Sequence, residues 1–283
     1  MRTPRRSPLI TSKTRNILGI GLTLAILALL TFAPFIMLFQ LSLKSTQQIA
    51  DSMWLPSLPF HFKNYWRAFY MMRPYLLNSV IFCIGTATIS ILCSSLTGYA
   101  LSRYQFPGRE LFYYLILALM MIPGILTLIT RFVTVVKLHL NNTNFGIWFP
   151  LAAMSQGFEV IVLRTFFTSV PEELFESARI DGADEFRMLY ALALPLSRPI
   201  ITTLVVLSIM STWNEFIWPT MVFGNSAYYP AILIVQQLGA THLYNDPGAM
   251  YAGYVLAGLP LLLLFALTSQ TFVRGLTSGA IKM

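Results

Sequence analysis

From Asn16 to Leu43 the chain carries no charged residue. A helix needs about 20 apolar residues to cross the hydrocarbon of a bilayer, so this run predicts a first membrane span at Ile17–Phe39. Arg2, Arg5, Arg6, Lys13 and Arg15 precede it, as they would in a secretory leader. A cleaved leader has a shorter apolar stretch that ends in small residues, whereas this one continues through Phe35, Met37 and Phe39. It reads as a retained anchor.

The same criterion finds five further spans, at about 76–100, Leu111–Thr130, about Phe145–Leu163, about Ile200–Met221 and about Met250–Phe272. Composition agrees, with 56% hydrophobic and only 11% charged residues, against roughly 25% charged in a soluble domain. The expected fold is an all-α integral membrane protein of six transmembrane helices. It divides into a basic N-terminus (1–16), the first span (17–41), an external loop (42–74), a five-span core (75–272) containing a cytoplasmic loop (166–198), and a C-terminal tail (273–283). The net charge of +8 does not point to nucleic acid, because the cations stand at the ends of apolar runs. Cys83 and Cys93 lie within one such run and are most simply small packed side chains.

Placement of the cations gives orientation. With the N-terminus inside, the cytoplasmic side holds the five N-terminal cations, Arg103, Arg109, Arg164, Arg179, Arg187, Arg198, Arg274 and Lys282. The outside holds only Lys44, Lys63, Arg67, Arg73, Arg131 and Lys137. The bias predicts both termini in the cytoplasm. Tyr65, Trp66, Tyr70, Tyr75, Trp148, Trp218, Tyr228 and Tyr229 fall near outer span ends, as an aromatic belt would.

The loop after the fourth span is the informative segment. Ser169 and Glu172 have capping-box spacing and Pro171 suits a first helical turn. Val170, Leu174 and Ala178 share a face flanked by Phe175, and Gly182 is placed to end the helix in a left-handed conformation. A second short helix is expected to carry Phe186, Leu189, Tyr190 and Ala193 on one stripe, ending before Pro195 and Pro199. A hairpin this short cannot bury its apolar stripe alone. It either packs on the ends of its own spans or docks a cytoplasmic protein.

The run Glu176-Ser177-Ala178-Arg179-Ile180-Asp181-Gly182-Ala183, closing with Leu194-Pro195, resembles the EAA loop of permeases in binding-protein-dependent ABC importers. Ser177 departs from the family's middle alanine but stays small. Ala100–Arg109, Trp213-Asn214-Glu215-Phe216 and Gly275–Lys282 resemble the carbohydrate-uptake branch, to which the smaller permease of the maltose importer belongs. The resemblance implies an inner-membrane permease in which Glu173, Glu176, Ser177, Ala178, Asp181, Gly182, Ala183, Leu194 and Pro195 dock an ATPase subunit. It further implies two copies of that cytoplasmic ATPase, a second homologous permease and an external solute-binding protein, with the chain embedded in membrane lipid. No glycine is followed by lysine, so no phosphate-binding loop of the G-x-x-x-x-G-K type occurs. The chain is expected to bind no cofactor, ATP and Mg belonging to the partner subunits.

Glu159, Asn214 and Glu215 are the candidates for a solute path, because a carboxylate at mid-membrane costs roughly 2.5–3.5 kcal/mol on insertion scales and should face protein or a wet cavity. The alternative for both acids is that they hold interhelical hydrogen bonds or face the partner permease. His61, His139 and His242 are too scattered for a metal site. The external segment with Trp54, Pro56, Pro59, Phe60, Tyr65 and Trp66 suits docking of the binding protein or partner permease. No catalytic constellation can be argued, which leaves an importer of a sugar or glycerol-phosphate-type solute against an ion-gradient-driven secondary transporter. The latter favours inverted repeats, and none stands out. For orientation, a reporter fused after Met283 should be active in the cytoplasm and one inserted near Asn225 outside; the opposite pair of results would overturn the six-span topology.

Overall fold

The structure is a computed structural model that describes residues 12–237 and 246–280. Arg2, Arg5, Arg6, His242 and Lys282 lie outside the described residues. Hydrocarbon offers no partner to a backbone N–H or C=O, and a helix satisfies both internally. The apolar runs are accordingly helical. Among the described residues four helices are long and apolar enough to cross a membrane: α1 (Ser12–Ser42), α3 (Lys63–Arg103), α6 (Phe145–Thr168) and the helix Pro247–Ala280. Between α1 and α3 lies a short helix, α2 (Thr46–Asp51). These four contain the first, second, fourth and sixth expected spans, and α3 starts inside the segment expected to be an external loop.

The third and fifth expected spans are broken. In the third, α4 (Arg109–Met120) stops, the chain turns at Met121–Pro123, and a 3-10 turn leads into α5 (Leu128–Lys137) at 93° to α4. Pro123 has no N–H to continue the ladder. In the fifth, α10 (Arg198–Trp213) ends before Asn214, and Asn214–Phe216 separate it from α11 (Ile217–Val222). The Glu215 carboxylate accepts a hydrogen bond from the Trp218 N–H at 3.0 Å, which caps the new helix. Counting α4 with Gly124–Lys137, and the stretch Glu185–Leu196 with α10, as one span each brings the candidate crossings among the described residues to six.

The chain forms two compact bodies, one within Met1–Phe69 and Gly239–Leu256, the other within Tyr70–Leu238 and Ala257–Met283. In the first, Lys44 is buried and donates to the carbonyls of Ser52 at 2.6 Å and Leu55 at 2.5 Å. Asn64 donates to Ser42 O and Lys44 O, both at 2.9 Å. A buried ammonium needs such acceptors, so the loop closes around Lys44. Ser45 and Gln48 form the capping box of α2.

The second body is organised by close approach of α3 and α6. A Cβ at Gly85 would overlap the Trp148 indole, whose Nε1 donates to Ile81 O at 3.2 Å, and one at Gly98 would press on Leu163. Gly157 of α6 lies under Met120 of α4 in the same way. Small residues at such contacts let backbones meet, which is how helices associate in lipid. Trp218 is buried with Phe82, Val135, Ile147, Val222 and Phe223, and donates to Gly146 O at 2.9 Å. It therefore belongs to the core rather than to the expected aromatic belt.

A leucine at position 85 has to displace Trp148. Gly85→Leu should cost about 1–3 kcal/mol and lower the melting temperature of the detergent-purified protein. Gly21→Leu on α1, where a Cβ meets nothing within 4 Å, should leave melting unchanged. Equal melting of the two variants would refute this account of the α3–α6 contact.

Candidate functional site

Two groups of side chains are built for work: the helix–Gly–helix element between α6 and α10, and polar side chains inside the α3–α6–α10 region.

The element opens with α7 (Glu172–Ile180) and continues through α8 (Glu185–Met188), a π-helical turn at Leu189–Ala193 and α9 (Leu194–Leu196). Gly182 has φ +78°. The Gly182 N–H bonds Arg179 O at 3.0 Å and the Ala183 N–H bonds Ala178 O at 2.9 Å. These two bonds are a Schellman termination, so Gly182 ends α7 in the left-handed conformation expected from the sequence. Asp184 then caps α8 by accepting from the Arg187 N–H at 2.7 Å. Pro195 cannot donate, and a preceding turn widened to the Leu194 N–H···O Leu189 bond accommodates it. α9 and α10 meet at a bend of 81°.

Packing corrects three details of the expectation. Ser169 Oγ donates to Phe166 O at 2.8 Å, so no capping box forms. The buried residue of α7 is Phe175, not Leu174. In the second helix Met188, Leu189 and Ala193 turn inward, while Phe186 and Tyr190 stay 72% and 61% exposed. Phe175, Met188, Leu189 and Ala193 join Tyr99, Leu163, Phe167, Ile200 and Leu204 in one core cluster. The element is thus fastened to α3, α6 and α10.

Its other side is open. Glu173, Glu176, Ser177, Asp181, Gly182 and Pro195 are exposed, Ala178, Ala183 and Leu194 half-buried. Ile180 is 87% exposed, and Phe186 and Tyr190 are exposed as well. Arg179 pairs with Glu172 at 3.1 Å and lies 3.7 Å from Glu185, and Glu172 holds the guanidinium above its ordinary range. Glu185 also accepts from the Tyr99 hydroxyl at 3.2 Å, and burial followed by the Glu185 carboxylate pushes the Tyr104 hydroxyl up. Arg103 of α3, marked in the sequence only as a cytoplasmic cation within Ala100–Arg109, fixes the element from behind: it pairs with Glu172 at 2.6 Å and donates to Val170 O at 2.7 Å and to Phe167 O. The only signal available was a lone cation closing an apolar run.

Inside the second body, Glu159 is 2% exposed. Ser90 Oγ lies 2.5 Å from both of its carboxylate oxygens, Ser155 donates to Ser90 Oγ at 3.1 Å, and Gln156 donates to Ser90 O at 2.9 Å. Among the described residues no cation lies within ion-pair distance of Glu159. The arrangement is an α3–α6 hydrogen-bond lock. A cavity of about 190 Å³ is lined by Thr86, Leu151, Met154, Ser155, Ser208, Ser211, Thr212 and Glu215. The Thr86 hydroxyl is buried without a partner. Asn214 turns back to Met210 O at 2.7 Å and does not line this cavity. The hydroxyls were legible only as helical spacing, with Thr86, Ser90 and Ser94, and Ser208 and Thr212, four residues apart.

Residues 90–278 match a family model described as "Binding-protein-dependent transport system inner membrane component". The chain is 31% identical over 252 residues to the probable ABC transporter permease protein YurM of Bacillus subtilis, covering 88% of this chain and 83% of that one. It is 28% identical over 277 residues to the diacetylchitobiose uptake system permease protein NgcG of Streptomyces coelicolor, covering 96% and 91%. Its fold matches a chain in the crystal structure of a bacterial ABC transporter involved in import of the acidic polysaccharide alginate. The TM-score there is 0.80 and the identity 22%, over 95% of this chain and all of that one.

The hydrogen-bond lock makes a prediction about charge. Glu159→Gln keeps an acceptor for Ser90 and should shift stability by about 1 kcal/mol or less, whereas Glu159→Leu leaves Ser90 unpaired and should lower melting further. A drop with glutamine as large as with leucine, measured by thermal unfolding in detergent, would show that the charge itself is structural.

Proposed function

Because the chain belongs to the family of binding-protein-dependent transport system inner membrane components, we propose that it forms, with a second homologous permease, the membrane path of an ATP-driven importer for a sugar or sugar-like solute. The sugar class is supported by a diacetylchitobiose uptake permease among its relatives. Two copies of a cytoplasmic ATPase bind ATP and Mg and supply the energy, and an external binding protein delivers the solute. Both termini lie in the cytoplasm, as the cation bias favours.

The observation that carries the reading is the two-sided element α7–α9. One side is sunk into the ends of α3, α6 and α10. The same element leaves Ile180, Phe186 and Tyr190 exposed, together with Glu173, Glu176 and Asp181. Apolar side chains left in water beside a rigid turn suit a protein partner. That partner is the ATPase, whose closure pushes on the element and moves the helices joined to it. Inward- and outward-facing arrangements then alternate as two states of one bundle.

The cavity lined by Thr86, Ser208, Ser211, Thr212 and Glu215 is the segment of solute path contributed by this chain. Its hydroxyls and one carboxylate suit polyhydroxylated solutes. At about 190 Å³ it is smaller than the roughly 300–1,000 Å³ of a drug-sized site, which fits one sugar ring with the rest held by the partner permease. Glu159 supports the path by locking α3 to α6, and Asn214 and Glu215 break the helix beside it. The external segment around Trp54 and Trp66 meets the binding protein.

Gly182→Val tests the docking role. A β-branched residue at φ +78° carries strain of about 1–3 kcal/mol, confined to the turn. The membrane part should insert normally while ATPase subunits dissociate, or hydrolysis uncouples from uptake in proteoliposomes. Vanadate-sensitive uptake that persists in this variant would overturn the docking role, and ionophore-sensitive uptake without any ATPase would favour a secondary transporter instead.

A further inference from the structure

Docking explains the exposed side of α7–α9 but not how its movement reaches the cavity. The loop joins α6 to α10 through the backbone. The helix that carries Thr86 into the cavity, α3, is not joined to it in sequence.

Arg103 ends α3 and its side chain is only 6% exposed. Nη1 pairs with Glu172 in the first turn of α7 at 2.6 Å. Nη2 donates to Phe167 O in the last turn of α6 and, at 2.7 Å, to Val170 O in the link between the two helices. The guanidinium carbon lies 3.9 Å from the centroid of the Phe175 ring, the buried anchor of α7. One side chain thus holds two carbonyls, a carboxylate and an aromatic face on three consecutive pieces of chain. The last carbonyls of a helix lack partners within it, and a cation there also meets the negative end of the helix. Only a planar fork reaches such a set of acceptors at once; a lysine ammonium is a single point charge. Glu172 is shared, since its other oxygen accepts from Arg179 at 3.1 Å. The buried guanidinium is therefore tied through Glu172 to the exposed surface of α7.

We infer that Arg103 is a positioning residue for transport: it makes the end of α3, the end of α6 and α7 move as one piece, so that displacement of the docking element is delivered to the helix lining the cavity. This rests on the docking role of α7–α9. Without Arg103, the ATPase still has its docking surface, but its stroke is dissipated in the link Ser169–Pro171.

The test uses the whole complex, copurified with its ATPase subunits and reconstituted, and needs no solute. Cys83→Ala and Cys93→Ser clear the background, and Ser211→Cys places a reporter at the cavity. Reaction with a membrane-impermeant maleimide is compared between nucleotide-free and orthovanadate-trapped complexes. In the parent, trapping should change the labelling rate. Arg103→Gln should still trap nucleotide but lose most of that change. Arg103→Lys should recover the melting temperature without recovering the labelling change, which a purely structural role would restore together. Glu172→Gln keeps both carbonyl contacts and should lose a smaller part of the change; it carries the test if Arg103→Gln fails to assemble. A full labelling change in Arg103→Gln, or in Glu172→Gln where the former does not assemble, would overturn the inference alone. Absence of any change in the parent would overturn it together with the docking role.

Discussion

Gly85 of α3 faces Trp148 of α6 so closely that a single added carbon has no room, and a carbon added at Gly98 would press on Leu163. Lipid tails are as apolar as leucine, so burial of apolar surface gives little reason for two helices to associate in a membrane; contact area and interhelical hydrogen bonds must do it. The α3–α6 pair has both, with glycine approach along its length and the Ser90–Glu159 contact in the middle. The other pieces of the second body attach to this pair. α4 packs through Met120 on Gly157, α11 through Trp218 on Gly146 O, and α7 through Phe175 and Arg103 on the far end. Whatever separates α3 from α6 also opens the cavity, because Thr86 comes from one and Ser155 from the other.

The two carboxylates inside the membrane region are used differently, and the difference follows from what they touch. Glu159 has both oxygens on a neighbouring hydroxyl and is sealed from the surface. Glu215 spends one oxygen on the Trp218 N–H and stands at the cavity wall, where the helix has already broken. An irregular backbone at membrane depth is tolerated only where it is buried in protein or lines a cavity. The break at Asn214–Phe216 has such a cavity beside it. In the structure Glu159 bonds between α3 and α6, whereas Glu215 is among the residues lining the cavity.

How much was legible depends on whether the signal was local. Span positions follow from apolar runs, the fourth and fifth interrupted by Glu159 and Glu215, and four of the six emerge as long helices. The left-handed Gly182 follows from a local rule, since the chain there needs a conformation that residues with a Cβ resist. The breaks at Met121–Pro123 and Asn214–Phe216 were not legible because hydropathy records whether a residue prefers lipid, not whether its backbone continues straight. Face assignment in α7–α9 held for Val170, Ala178, Leu189 and Ala193 and missed the rest for a related reason. Leu174, Phe186 and Tyr190 are apolar enough for a core stripe, and only contact with α3 and α6 selects Phe175 and Met188 instead. Arg103 illustrates the limit most clearly, for its carbonyl and ring partners lie more than sixty residues away, as do the donors and acceptors that join α3 to α6.

The contrast between the two sides of α7–α9 bears on how force passes through the protein. A docking element with both sides loose would tilt under load and transmit little; one buried on both sides would offer no surface. Here the inner side carries the specific fastenings, Phe175 in the core and Arg103 across three pieces of chain, and the outer side keeps apolar residues in water. Keeping Ile180, Phe186 and Tyr190 exposed costs hydration free energy that burial would recover, at about 25 cal/mol per Å². In the proposed docking role, the ATPase is the partner that covers this surface. The Schellman turn supplies the remaining requirement. It ends α7 through two backbone bonds, so the exposed side chains on either side of Gly182 can meet that partner without breaking the bonds that form the turn.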